Sequence, residues 1–143
     1  MTRSTALILV LAMVAAASAS AACGGGSSTP VTAPTGNLVT DTFTGTVQIA
    51  GQDFHPFTVT TGGTINATLV SAGPPPTITM GLGIGTPSTT GVCSLLSGAY
   101  GAYQPSTTAQ LNGTLAAGTY CIEVFDVGNA AGPITYTVTV AHT

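Results

Sequence analysis

The sequence predicts an all-β domain, an antiparallel β-sandwich of seven to eight short strands, on three observations. Apolar and polar residues alternate with a period of two through most of the chain beyond Asp41, the spacing that sends successive side chains to opposite faces of a strand. Thr, Val and Ile dominate these runs, and β-branched residues suit a pleated surface. Gly- and Pro-rich punctuation separates them, with no capped helical stretch between. A length of 143 residues allows one domain of roughly 100–150 residues.

Residues 1–22 read as a signal peptide. Arg3 supplies a positive start, Ala6 to Ala17 is an apolar run of twelve, and Ser18 to Ala22 are small. The run is too short for a bilayer span of about 20 residues and suits an export signal. Ala21-Ala22-Cys23-Gly24 resembles the lipobox of bacterial lipoproteins. That resemblance implies acylation of Cys23, a palmitate-type membrane anchor, and display outside the cytoplasm. Ser20 stands where such sequences usually carry Leu. Ordinary cleavage after Ala19 or Ala21 is the competing reading, and it makes the protein secreted with a thiol at Cys23. From Cys23 to residue 40 the chain is mostly Gly, Ser, Thr, Pro and Ala, the composition of a tether.

The domain is expected over residues 41–143. Phe43, Gly45, Val47 and Ile49 share one parity of the first run, and Phe57 and Val59 face inward in the second. Ile65, Ala67 and Leu69 share a face between Thr64 and Val70, and Ile78, Met80, Leu82 and Ile84 share one between Thr77 and Ile84. Tyr120 to Phe125 and Ile134 to Val140 continue the rule, with Tyr136, Val138 and Val140 on one side. Turns fall at Gly51, Gly62-Gly63, Gly73 to Pro76, Gly118 and Gly128 to Pro133. Ser88 to Pro105 is the least regular stretch.

Three cysteines in an exported chain leave one unpaired. Pairing Cys93 with Cys121 accounts for two and leaves Cys23 as the acylated residue. Such a bridge would contribute about 3.5 kcal/mol in the chain-entropy model. Two buried thiols are the alternative, and no Cys-x-x-Cys spacing points to zinc.

Only 3% of residues are charged, and Arg3 is the sole cation against four acids. A domain without Lys or Arg cannot neutralise phosphates, so nucleic acid is excluded as a partner. Schiff-base lysines and arginine clamps are excluded with it. Asp41, Asp53, Glu123, Asp126, His55 and His142 are the remaining acids and bases. They contain no Gly-x-Ser-x-Gly elbow and no His-Glu-x-x-His motif, so no catalytic residue is assigned. Asp53 and His55 alternate around Phe54 and can share a face, which reads as a structural pair. Asp126 and Asn129, in a turn, are the candidate Ca²⁺ ligands; an Asx-turn is the competing reading. Tyr100 and Tyr103 are the candidate ligand-binding residues, as an aromatic platform for sugar rings.

Four segments carry a family likeness: Phe57 to Thr64, Leu82 to Thr86, Leu115 to Val124 and Ile134 to Val140. With Gly118-Thr119-Tyr120 opening one strand and Tyr136 in the last, residues 41–142 resemble the bacterial pre-peptidase C-terminal domain family. The resemblance implies a jelly-roll-like β-sandwich, an accessory module rather than an enzyme, and no shared active site. Some members are linked to calcium or carbohydrate polymers. The functional expectation is a non-catalytic extracytoplasmic lipoprotein carrying an interaction module. A cell-surface polysaccharide-binding module, with or without Ca²⁺, is the alternative, and a small secreted hydrolase is a distant third.

Overall fold

The structure, a computed structural model, describes residues 37–143. The segment read as an export signal, Cys23 and residues 24–36 of the expected tether lie outside them. The described residues form eight strands: β1 (Val39–Val47), β2 (Gln52–Val59), β3 (Gly63–Gly73), β4 (Met80–Pro87), β5 (Cys93–Tyr103), β6 (Leu111–Leu115), β7 (Gly118–Asp126) and β8 (Ile134–His142). They build two four-stranded sheets, ordered β1-β8-β3-β6 and β2-β7-β4-β5. Every pairing is antiparallel. β1 pairs with β8, β2 with β7, β3 with β6 and β4 with β5, so the chain is one long hairpin rolled over itself. That is the two-sheet jelly roll.

Alternation dictates the core. Val47, Phe57, Val59, Ile65, Ala67, Leu69, Met80, Leu82, Ile84, Tyr136, Val138 and Val140 are all buried, on the parities their spacing predicts. From β7, Ile122 and Val124 join them. Full burial of each such aliphatic side chain contributes about 1.5–3 kcal/mol. The outer face of the β1-β8-β3-β6 sheet is a threonine surface. Thr42, Thr139 and Thr68 stand in one cross-strand row, and Thr44 and Thr137 in the next.

Three expectations change. The stretch from Ser88 to Pro105 holds an eleven-residue strand, β5. Its alternation is hidden because Gly83 pairs with Tyr100 while Gly85 pairs with Leu95. Leu96 to Ala99 therefore bulge out opposite Ile84, with Gly98 at φ 76°. The run from Thr77 becomes a strand only at Met80. Ile49 is exposed, because β1 ends at Val47 and the chain turns at Ala50, whose φ is 55°.

Cys93 and Cys121 form a disulfide, with Cα atoms 5.9 Å apart. It passes over β4, which lies between the two parent strands, at Gly85. A Cβ at Gly85 would sit 2.8 Å from Cys93 Sγ and against the Ser94 carbonyl. Gly85→Ala should therefore lower stability by about 1–3 kcal/mol. Gly113→Ala, whose Cβ meets nothing within 4 Å, should not. Urea denaturation of the two variants checks this.

Candidate ligand-binding face

The outer face of the β2-β7-β4-β5 sheet gathers the most unusual chemistry. Register places Phe54, Glu123, Gly83 and Tyr100 in one row across its four strands. β4 contributes Gly81, Gly83 and Gly85 to this face, since Met80, Leu82 and Ile84 point to the core. Larger side chains from neighbouring strands settle onto the glycines. The Phe125 ring covers Gly81, Leu95 covers Gly83, and Cys93 covers Gly85. A second small apolar layer results on the side of the sheet that normally meets water.

Glu123 lies within that layer and is only 5% exposed. Its Oε2 has no hydrogen-bond partner, and burial pushes its carboxyl above the ordinary range. Tyr100 ends the row and is 54% exposed.

The proposed tyrosine platform does not form. Tyr100 pairs with Gly83 on the outer face, whereas Tyr103 pairs with Met80 and packs against the core. An odd spacing within one strand sends the two rings to opposite faces. Tyr103 instead lies over Gly101, its Oη 2.6 Å from where a Cβ would stand.

Asp126 and Asn129 adopt the Asx-turn arrangement. Asp126 Oδ1 accepts from the backbone N–H groups of Gly128 at 2.8 Å, Asn129 at 3.0 Å and Ala130 at 3.1 Å. Its Oδ2 accepts from Ala50 N–H at 2.8 Å. The Ala50 bond above all, aided by the other three against some desolvation, holds the carboxyl below its usual range. One side chain thus ties the β1–β2 turn to the β7–β8 loop. A Ca²⁺ ion, which takes six to eight oxygens, would compete with four N–H groups for this carboxylate. No group of three His, Cys, Asp or Glu suited to a metal occurs among the described residues.

Asp53 and His55 do share a face, and both meet a residue that the spacing alone leaves unconnected to them. Tyr136 Oη donates to Asp53 Oδ2 at 2.9 Å. His55 Nε2 lies 2.9 Å from the same phenol oxygen. The phenol proton is directed to the carboxylate, so the His55 Nε2–H donates to Tyr136. Burial first, then the hydrogen bond to Asp53 and its charge, push the Tyr136 phenol up, which keeps it a donor. Phe43 stacks on the imidazole at 5.0 Å. Gly45 makes room for the group, since a Cβ there would meet both Asp53 and Tyr136. At the other end of β1, His142 Nε2 donates to Asp41 Oδ2 at 3.0 Å.

Phe54, Glu123 and Phe125 escape a search for motifs, because each stands on the outward parity of a strand. The available signal was Gly81-x-Gly83-x-Gly85, a strand face stripped of side chains and so able to receive others. Comparison with known proteins finds no matching family model and no matching curated protein. No helix of the described residues is long and apolar enough to cross a membrane.

The two acids should respond oppositely to pH. Asp126 is depressed in the fold, so its contribution is present above the ordinary value of 3.8 and lost as pH falls through the depressed one. Asp126→Ala should lower the melting temperature at neutral pH and matter least near about pH 2. Glu123 is raised, so its contribution is full below 4.5 and lost as pH rises through the raised value. Glu123→Gln should flatten the stability profile from about pH 4 upward. Melting temperatures by circular dichroism across that range test both signs.

Proposed function

We propose that this protein is a non-catalytic interaction module, displayed outside the cytoplasm of a bacterial cell by a lipid on Cys23. The disposition of the ionisable side chains carries the reading. Asp126 holds two loops together, Asp53 and His55 are bonded to Tyr136, and Asp41 is bonded to His142. Each of these bonds ties one strand or loop to another, the use of a structural pairing, and Glu123 alone stands outside them. The Cys93–Cys121 disulfide suits an oxidising compartment. The jelly roll accords with the likeness to the pre-peptidase C-terminal domain family, whose members are accessory modules. Cys23→Ala should move the protein from the membrane fraction to the soluble one; unchanged fractionation would favour ordinary secretion or another anchor.

The row Phe54–Glu123–Gly83–Tyr100 favours a second reading, recognition of a neutral cell-surface polysaccharide. An exposed ring offers a face on which the C–H edge of a sugar can stack, and its hydroxyl a polar handle. With no Lys or Arg in the domain, the polymer would be held by hydrogen bonds and aromatic contact. On an array of neutral glycans, Tyr100→Ala should lose at least tenfold in binding while a folded Thr119→Ala control does not. Binding that survives Tyr100→Ala would move the site elsewhere; no binding to any glycan leaves the protein-interaction module as the reading.

A further inference from the structure

On the side of the sandwich away from β1 and β2, the edge strands β5 and β6 face each other across an opening between the sheets. A cleft of about 250 Å³ lies there. Ile65, Ile84 and Leu111 line its buried depth, and Leu96 and Leu115 its sides. Two local features create it. The β5 bulge carries Leu96 to Ala99 away from the line of β4, opposite Ile84. In β6, Leu111, Gly113 and Leu115 share the inward parity, as their partners Ala67, Ile65 and Gly63 show. A third leucine at the central position would fill the space, but the residue is Gly113, and a Cβ there meets nothing within 4 Å.

The cleft is built for a particular chemistry. Its depth is lined by aliphatic side chains, and none of the residues lining it is ionisable or aromatic. Among the described residues neither β5 nor β6 has a second neighbour, so the polar groups at the mouth are neutral: the N–H and C=O groups of two free strand edges, with Ser97, Asn112 and Thr114 on the same lining. Gly98, also on the lining, leaves that backbone uncovered, with open space where a Cβ would stand. A dry apolar cavity of about 150 Å³ accepts one benzene. At about 30 Å³ per water-sized group, this cleft takes roughly eight methylene-sized groups.

We infer that the cleft between β5 and β6 binds an uncharged single alkyl chain, its neutral hydroxyl or ester end held by the free strand edges. A charged head group gains nothing there, because no opposite charge lines the mouth. The site is separate from the Tyr100 face and does not depend on it.

The test titrates the processed protein with 1-octanol and, separately, with octanoate, following methyl resonances of Ile84, Leu96 and Leu111. The expected result is saturable shifts with 1-octanol and at least tenfold weaker binding of octanoate. Gly113→Leu should keep the circular dichroism spectrum, melt no earlier than the parent, and bind 1-octanol at least tenfold more weakly. If Gly113→Leu does not fold, Ala99→Leu, on another part of the lining, serves the same purpose. Equal binding of octanoate, undiminished binding by the filled variant, or no saturable shift in the parent would each overturn the assignment. The last of these, with a higher melting temperature for Gly113→Leu, would mark the cleft as a packing void.

Discussion

A domain with no lysine or arginine must hold its carboxyl groups without strong cations, and the arrangement of the fold's ends and edges follows from how it does so. A buried or half-buried carboxylate needs donors. Asp126 takes four from the backbone, and by doing so sets the geometry of two loops that are far apart in sequence. Asp53 takes a phenol proton from Tyr136, which bonds β2 of one sheet to β8 of the other. Asp41 takes an imidazole N–H from His142 and so pins the ends of β1 and β8 together. Glu123 is the exception. It lacks a partner for Oε2 and is left to burial, which favours its neutral form.

Glycine supplies the complementary device. Where the period-two pattern would put a side chain and the sequence has none, a group from another strand moves in. Gly45 admits the Asp53–Tyr136 pair between the sheets. Gly81, Gly83 and Gly85 admit Phe125, Leu95 and the disulfide on the outer face. Gly113 admits nothing from the described chain and leaves the cleft between β5 and β6 open. The chemistry of this protein is concentrated at these missing side chains, while the threonine face of the opposite sheet stays uniform and uncharged.

Much of the fold was legible because burial of alternate residues writes directly into sequence. Val47, Phe57, Leu69, Leu82 and Val138 are core residues for the reason their spacing suggests. β5 was not legible, since a four-residue bulge shifts its parity midway and makes a strand look irregular. Of the site, Tyr100 was found for its exposure-tolerant ring, but its pairing with Tyr103 fails on strand geometry. Glu123 was visible as an acid in an apolar run, yet its burial on the outward parity of β7 follows from no local pattern. Residues that act on an outward face leave no periodic signature, because solvent-facing positions tolerate almost any side chain.

The sequence by itself determined the class of the domain and its inward faces, because a two-residue period and β-branched composition act locally along each strand. Composition alone also determined that this domain carries no Lys or Arg side chain. Only the tertiary structure decided which strands neighbour one another, and everything built across strands depends on that choice. The jelly-roll order brings Phe54, Glu123, Gly83 and Tyr100 into one row and carries the Cys93–Cys121 bridge over Gly85. It also sets β5 and β6 face to face around an unfilled glycine. Residues separated by tens of positions meet through backbone pairing and chain crossing, and a local pattern contains no term for either.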